Sequence, residues 1–323
     1  MRRRFLSGAV IGVILMTVLL LGFGASVVAA SQMRFYIVSH GGPGDPFWGV
    51  VIKGMNDAAK RFGVKATYLG PEKFSIKKLV DMLDSAIAAN PDGLAVTITN
   101  AVALDEPLRR AIKKGIPVVA INVPDTRPPE KRIPYLCYVG MDEYKGGVVA
   151  AQRMLQAVKI KRAIVAIHEP GHTGLELRAK GIKDVLSKKG IPVDKLDITT
   201  EPTKAVGIMS SYLTRHPDTN AIFTLGPIGT QPALKMLEEK KLVGKVKLSG
   251  WDLTPLMVKA IEKGELVFTI EQQQYLQGYL PIAFLYLYKK YGLIPHGTVL
   301  TGPAVVDKSN VKVVEKTVKA GYR

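Results

Sequence analysis

Cysteine is nearly absent from this sequence of 323 residues, since Cys137 is the only one. An intrachain disulfide needs two cysteines, so a disulfide framework is excluded. After its first thirty residues the chain also lacks any uncharged apolar run of the roughly 20 residues that a transmembrane helix requires. A membrane channel within the remaining sequence is therefore excluded.

The first thirty residues have the order of an export signal. Three arginines at positions 2–4 precede an apolar run, Ala9–Phe23, and small residues follow up to Val28–Ala30. Cleavage after Ala30 leaves Ser31 as the mature N-terminus. Because the apolar run approaches a membrane-spanning length, retention as an uncleaved anchor stays open. In both cases we expect the rest of the chain in the periplasm or on the extracytoplasmic surface.

Acidic residues are scarce relative to basic ones. The chain has 45 lysines and arginines against 27 aspartates and glutamates, a net charge of +18, which falls to +15 without the three signal arginines. Nucleic-acid binding proteins arrange such charge in a stripe with interleaved aromatic residues. The lysines here are scattered along the predicted helices instead. We therefore predict a solvated basic surface and no nucleic-acid partner.

Short apolar runs alternate with helical patterns along the whole mature chain. Arg34–Ser39 has the pattern of a strand, and Val51–Phe62 that of a helix that Gly63 ends. This alternation continues to Ile121 and resumes after Gly140. It predicts the α/β class with two domains, each a parallel sheet with helices on both faces.

Ligands bind beyond the carboxyl ends of the strands in open parallel sheets, so the residues that follow each predicted strand are candidates for a site. These candidates include both tryptophans of the chain: Ser39, His40, Asp45, Phe47, Trp48, Asn122, Met141, Asp142, Trp251, Asp252 and Gln272. Aromatic rings cover the C–H face of a sugar, while carboxyl and amide groups bind its hydroxyls. The combination predicts a site for a sugar or polyol, with no metal, cofactor or catalytic residue.

Each of these residues also has a structural explanation. Asp45 and Asp252 stand where an aspartate could cap the next helix. Trp48 could fill the core, and Asn122 and Gln272 could satisfy backbone groups at strand ends. The binding interpretation depends on their joint occurrence at strand ends.

A family resemblance rests on several short segments. They are Asp45–Val50, Asn90–Gly93, Gly115–Val118, Val139–Glu143, Gly250–Asp252 and Glu271–Gln272. With these segments the mature chain resembles the ribose- and galactose-type periplasmic sugar-binding proteins, the substrate-binding subunits of sugar ABC transporters. The resemblance implies the type 1 periplasmic-binding-protein fold, with two doubly wound parallel-sheet lobes and a three-segment hinge. It also implies a monomeric receptor that delivers its sugar to the membrane permease of an ABC importer.

The resemblance further implies roles for individual residues. Asp45 corresponds to a polar residue that binds hydroxyls, and Phe47 and Trp48 to an aromatic wall. Glu176 and Arg178 fall in the stretch where the family places an arginine that contacts sugar.

Other positions match the family only in part. Trp251–Asp252 matches an aromatic–aspartate pair, and Gln272 a glutamine near the hinge. Asn122 and Val123 replace an Asp-Arg pair that grips ribose, and Gly226 stands where a side-chain amide is common. We therefore do not expect ribose as the ligand. Another pentose, a hexose, a polyol, a cyclic furanosyl signalling compound or a nucleoside stays open.

The family architecture implies crossings between the lobes near Gly140–Met141, Gln272–Gln273 and Thr301–Pro303. The implied first lobe comprises residues 31–140 and 273–301, and the second lobe residues 141–272 and 302–323.

Two other classes of function are less consistent with the sequence. His168, Glu169 and His172 invite a metal or acid–base interpretation, but Pro170 and Gly171 separate the two histidines and prevent a shared helix face. A DNA-binding regulator of this fold needs an N-terminal helix-turn-helix, and the export signal occupies that place. We therefore expect a receptor, not an enzyme or a regulator.

Overall fold

The computed structural model describes residues 32–323, and within this range the chain forms twelve strands and ten α-helices. The strands are β1 Arg34–Val38, β2 Lys65–Leu69, β3 Gly93–Val96, β4 Val118–Asn122, β5 Cys137–Met141, β6 Arg162–Ile167, β7 Val193–Asp197, β8 Thr219–Thr224, β9 Lys247–Trp251, β10 Phe268–Glu271, β11 Gly297–Gly302 and β12 Ala304–Asp307. The helices are α1 Pro46–Phe62, α2 Ile76–Ala88, α3 Ala101–Lys113, α4 Glu143–Ala157, α5 Thr173–Ser187, α6 Pro202–Arg215, α7 Pro227–Glu239, α8 Pro255–Lys263, α9 Gln274–Tyr291 and α10 Val311–Lys319. Between residues 32 and 323, the structure contains no helix with the length and apolar character needed to span a membrane. The predicted export signal, residues 1–30, lies outside the described residues.

The strands form two sheets that share one connectivity. The first sheet has the order β11-β5-β4-β3-β1-β2, and the second has the equivalent order β12-β10-β9-β8-β6-β7. Neighbouring strands are parallel except for β12, which pairs antiparallel with β10. Only Pro303 separates β11 of the first sheet from β12 of the second. The chain therefore passes between the sheets through one residue, without the long crossover that joins parallel neighbours within a sheet. The predicted α/β class with two parallel-sheet lobes is confirmed.

The chain crosses between the sheets three times. It leaves the first sheet after β5, returns from β10 through α9, and crosses again at Pro303. We call the first sheet with α1–α3 and α9 the first lobe, and the second sheet with the other helices the second lobe. The exact residue limits predicted for the lobes stay a prediction.

Each sheet is buried on both faces, which explains why its central strands are mostly apolar. In β6, Ile164 and Ala166 pack into one cluster of the second lobe, while Ala163, Val165 and Ile167 pack into another on the opposite face. Alternate side chains of a strand point to opposite faces, so both faces need apolar residues.

In each lobe two helices pack closely against each other, and glycine residues make this close approach possible. In the first lobe, α1 packs on α9 so closely that a Cβ on Gly278 would lie 1.9 Å from Val51 O. In the second lobe, a Cβ on Gly147 of α4 would lie 2.1 Å from Arg178 O of α5. A Cβ on Gly181 of α5 would meet Tyr144 O at 2.2 Å. The second pair holds the Arg178 turn of α5 against the start of α4.

We predict that Gly278→Ala destabilises the protein by about 1–3 kcal/mol, because the added methyl group overpacks the α1–α9 contact. The matched control is Gly207→Ala in α6, where a Cβ meets nothing within 4 Å. There the better helix propensity of alanine should add up to about 1 kcal/mol of stability. Urea unfolding measures both changes, and a Gly278→Ala protein as stable as the parent would contradict this account of the packing.

Candidate functional site

A cavity lies between the two lobes. It is bounded by residues at the carboxyl ends of β1, β4, β6, β8, β9 and β10 and by the helices that follow. Open parallel sheets favour this location for a ligand. The lining consists of His40, Asp45, Phe47, Trp48, Asn122, His168, Glu169, His172, Leu175, Arg178, Leu225, Gly226, Pro227, Asp252 and Gln272.

The start of α1 forms the first-lobe wall of the cavity. Asp45 caps this helix by accepting a hydrogen bond from Phe47 N at 2.9 Å, and it also lines the cavity. Burial raises the pKa of Asp45 to about 6. Phe47 and Trp48 pack edge to face with ring centroids 4.8 Å apart. Trp48 lies against Gly41, where a Cβ would stand 2.1 Å from the indole Nε1, so glycine leaves the space that this ring occupies.

Arg178 of α5 brings a buried guanidinium to the second-lobe wall. Its Nε donates to Glu143 Oε2 at 2.5 Å, and its Nη1 donates to Leu225 O at 2.7 Å. The guanidinium carbon lies 4.6 Å from the ring centroid of Trp251. Burial raises the pKa of Glu143, although the neighbouring guanidinium opposes that shift. The contacts hold the charged group in one orientation beside the cavity.

A network of amides and a carboxyl joins the lobes next to the hinge. Gln272 Nε2 donates to Asp252 Oδ2 at 3.1 Å, while Asn122 Nδ2 donates to Gln272 Oε1 at 3.3 Å and to Gln277 Oε1 at 3.1 Å. Asp252 Oδ1 has no hydrogen-bond partner among residues 32–323. Burial raises the pKa of Asp252 to about 8, against the opposing effect of Arg178. One acceptor atom of this carboxyl is thus available beside the cavity.

The segment after β6 adds an acid and a histidine from the second lobe. Burial, together with the charge of Asp45, raises the pKa of Glu169 to about 8. Burial lowers the pKa of His168 to about 3, and its Nδ1 has no partner within the described chain. A Cβ at Gly226 would stand 2.7 Å from His168 Cε1. The imidazole therefore fills the space that a side chain at position 226 would take.

The side chains of His40, Glu169 and His172 come close enough to raise the question of a metal ion, since one ligating atom of each lies within 4.8 Å of the others. His172 does not fit this role, because its Nδ1 accepts a hydrogen bond from Leu175 N at 3.1 Å. A neutral imidazole with an unprotonated Nδ1 carries its hydrogen on Nε2, and a protonated nitrogen cannot ligate a metal. In this arrangement the cluster is a hydrogen-bonded group.

A family model described as a periplasmic binding protein domain matches residues 35–292. The chain belongs to this family. Among its relatives is the xylose/arabinose-binding protein XylF of Sulfolobus acidocaldarius, 30% identical over 255 residues, which are 76% of this chain and 63% of that protein. The alignment thus spans a little less than two thirds of that relative's length.

Two solved structures resemble the protein closely. A periplasmic sugar-binding protein of an ABC sugar transporter from Legionella pneumophila has a TM-score of 0.79 and 34% identity, with 84% of this chain and 100% of that chain covered. A carbohydrate transporter from Acidothermus cellulolyticus in complex with myo-inositol has a TM-score of 0.84 and 29% identity, with 90% and 100% covered. The resemblance to periplasmic sugar-binding proteins predicted from the motifs is confirmed.

Most of the residues predicted for the site of this periplasmic binding protein line one cavity. They are His40, Asp45, Phe47, Trp48, Asn122, Arg178, Asp252 and Gln272. Whether they contact a ligand stays a prediction, but the structure brings them together from both lobes.

The other predicted residues lie outside this lining. Ser39 bonds Gly41 O, Met141 is buried in the core of the second lobe, and Trp251 lies beneath the guanidinium of Arg178. Asp142 caps α4, where its Oδ1 accepts from Lys145 N at 2.9 Å. Glu176 pairs with Lys195 on the outer side of α5, because residues two apart on a helix do not face the same side.

Sequence reasoning left several lining residues out of the predicted site. His168 and Glu169 directly follow β6, so the strand-end rule could have included them. His172 and Leu175 reach the cavity only because the turn at Pro170–Gly171 leads the chain into α5 along its edge. Spacing in the sequence does not predict that His172 meets His40 from the other lobe.

We predict that Glu143→Ala destabilises the protein by about 3–5 kcal/mol, because it leaves the Arg178 guanidinium buried without its partner. The control is Glu176→Ala, which removes a partly exposed pair with Lys195 and should cost less than about 1 kcal/mol. Chemical denaturation of both variants gives the comparison. Equal losses of stability in the two variants would show that the buried pair contributes no more than the partly exposed pair.

Proposed function

We propose that this protein is an extracytoplasmic receptor that captures a sugar or related polyol between its lobes and delivers it to the permease of an ABC importer. One observation carries the proposal. The aromatic wall of Phe47 and Trp48 shares a cavity with Asp252 and His168, each of which has a buried polar atom without a partner in the described chain. A sugar ring suits both, because its C–H face packs on aromatic rings and its hydroxyls donate and accept hydrogen bonds.

The titration of the lining supports an uncharged ligand. Burial lowers the pKa of His168 to about 3 and raises the pKa values of Glu169 and Asp252 to about 8. The charge of Arg178 is already matched by Glu143. At neutral pH the main unbalanced charge of the cavity is therefore the negative charge of Asp45, whose pKa is about 6, and a phosphate or carboxylate ligand would enter without an unpaired cation to receive it.

Relatives support a ligand with a single ring. XylF of Sulfolobus acidocaldarius is named for xylose and arabinose, and the Acidothermus cellulolyticus transporter was solved in complex with myo-inositol. We therefore propose a pentose other than ribose, or a cyclitol, since Asn122 and Val123 stand in place of the pair that grips ribose.

We propose capture without catalysis by a monomeric protein outside the cytoplasm. The relatives named above are binding and transport proteins, which supports this role. Closure of the lobes would bury the sugar, and the permease would distinguish the closed form from the open one. Such a switch depends on a ligand that binds the closed form more tightly.

A thermal-shift screen of residues 31–323 tests the proposed ligand class. We expect D-xylose, L-arabinose or myo-inositol to raise Tm, because a ligand at a hundred times its Kd adds about 2.7 kcal/mol of stability. D-ribose should give a smaller shift, with D-galactose and adenosine as further comparisons. A response to adenosine alone, or to none of the six compounds, would overturn the proposal.

Asp252→Ala should weaken the Kd for the compound with the largest shift by about two- to tenfold, because a hydrogen bond between uncharged groups contributes about 0.5–1.5 kcal/mol. Asp142→Ala is the matched control, since Asp142 caps α4 outside the cavity. It should lose about 1 kcal/mol of stability and keep the parental Kd. Calorimetric titration measures both, and equal effects on Kd would place the ligand elsewhere.

A further inference from the structure

Two histidines from opposite lobes meet across the cavity. His40 follows β1 of the first lobe, and His172 stands at the N-terminus of α5 in the second. Their Nε2 atoms are 2.9 Å apart, and their rings pack edge to face with centroids 4.3 Å apart. Beside them, Thr173 Oγ1 donates to Thr99 O across the same boundary at 2.7 Å, a bond that does not titrate. The histidine contact exists only while the lobes are closed.

The hydrogen bonds around the two rings fix one arrangement of protons. Leu175 N–H donates to His172 Nδ1 at 3.1 Å, so the hydrogen of His172 is on Nε2 and points to His40 Nε2. His40 then carries its hydrogen on Nδ1 and donates to Thr97 Oγ1 at 3.0 Å. This chain requires both rings to be neutral. A second proton on either ring turns one acceptor into a donor that faces another donor.

The surroundings also oppose a charged imidazole. His40 packs edge to face on Trp48 with centroids 5.0 Å apart, and the Phe74 ring lies near both histidines. Burial lowers the pKa of His40 to about 3, and His168 and Arg178 lower it further. Burial lowers the pKa of His172 well below its usual value, with His40, Arg178 and His168 acting in the same direction.

We propose that the contact between His40 and His172 is a pH-sensitive latch, which holds the lobes closed while both rings are neutral and releases them when His40 is protonated. The proposal deepens the proposed function, because closure is what would retain the sugar. Protonation of the latch then favours the open form, and closure of an open form that is protonated at His40 releases that proton to solvent.

The direction of the pH effect follows from linkage. In the open form a solvated histidine titrates near 6.5, while in the closed form protonation is suppressed. The closed form is therefore fully favoured above about pH 6.5 and loses population as the pH falls below it. Each histidine that titrates changes the ratio of closed to open by about tenfold per pH unit.

Protonation of the carboxyl groups beside the latch shifts the ratio of closed to open in the opposite direction. Glu169 Oε2 lies 3.9 Å from His40 Nε2, and Asp45 and Asp252 line the same cavity. Their raised pKa values, about 8 for Glu169 and Asp252 and about 6 for Asp45, favour the closed form at lower pH. The contribution of the latch is therefore the part of the pH response that is lost when either histidine is substituted.

Pulsed EPR between two introduced cysteines measures the latch without any sugar. Val102→Cys on α3 and Lys204→Cys on α6 place spin labels on exposed positions of opposite lobes. The native Cys137 is buried, and burial raises its pKa to about 11, so it stays outside the labelling reaction. Between pH 7.5 and pH 5.5 the latch should lower the ratio of closed to open by about tenfold relative to a protein without the two histidines. The same pH response in the parent and in such a protein overturns the latch.

Two variants remove the titration but keep the local structure. His172→Asn retains a side chain that caps α5, and His40→Gln retains an amide that can donate to Thr97. Over this pH range the ratio of closed to open in each variant should change by a factor about tenfold more favourable to the closed form than in the labelled parent. His296→Gln, at an exposed position, is the control and should reproduce the parental response. A parental pH response in both latch variants would assign it to the carboxyl groups instead.

A D-xylose titration of the same labelled proteins separates this proposal from the proposed function. A pH-dependent latch with no response to D-xylose or to the other compounds of the screen supports the latch and overturns the sugar assignment. Closure by D-xylose whose pH dependence is the same in the parent and in both latch variants does the reverse.

Discussion

The buried guanidinium of Arg178 is the interaction on which the rest of the site depends. It exists beside the cavity because Gly147 and Gly181 let α4 and α5 approach backbone to backbone, which brings Glu143 within reach. The same guanidinium lies on Trp251, whose burial it shares. A buried cation is tolerated only when it is paired and hydrogen bonded. The site therefore requires these contacts.

The charge of Arg178 also organises the titration of its surroundings. Burial is the largest cause of the lowered pKa values of His40, His168 and His172, and Arg178 lowers them further because a neighbouring cation opposes a second positive charge. Arg178 acts on Asp252 as well, and there too burial has the larger effect and raises the pKa. Histidines without charge and carboxyls that retain protons leave a polar lining with little net charge, which suits a ligand rich in hydroxyls.

Sequence patterns predicted the residues that line the cavity best where sheet geometry alone decides position. Asp45, Asn122 and Asp252 follow or end parallel strands, and such residues gather at one edge whatever the details of packing. These patterns predicted less well where the direction of a side chain matters. Met141 turns into the core and Glu176 lies on the outer face of α5, although each is close in sequence to a residue that is correctly placed.

Contacts between the lobes lay beyond the reach of the sequence for a different reason. His40 and His172 are 132 positions apart, and their meeting depends on how two separately folded sheets face each other. Neither periodicity nor a motif encodes that relation. The glycines at positions 41 and 226 raise the same difficulty, since their necessity becomes visible only with the rings of Trp48 and His168 in place.

Both lobes have a strained residue at the end of a strand, and both stabilise it in the same way. Asn122 ends β4 with φ 60°, and Asp252 follows β9 with φ 62°, a left-handed conformation that costs a residue other than glycine about 1–3 kcal/mol. In each lobe a hydroxyl from the adjacent strand holds the carbonyl of the strained residue: Tyr138 Oη contacts Asn122 O at 2.6 Å, and Thr269 Oγ1 donates to Asp252 O at 2.6 Å. Gln272 then bonds both side chains. Two strained strand ends are thereby joined through one hinge residue, so any rotation of the lobes must alter the orientation of the groups that face the cavity.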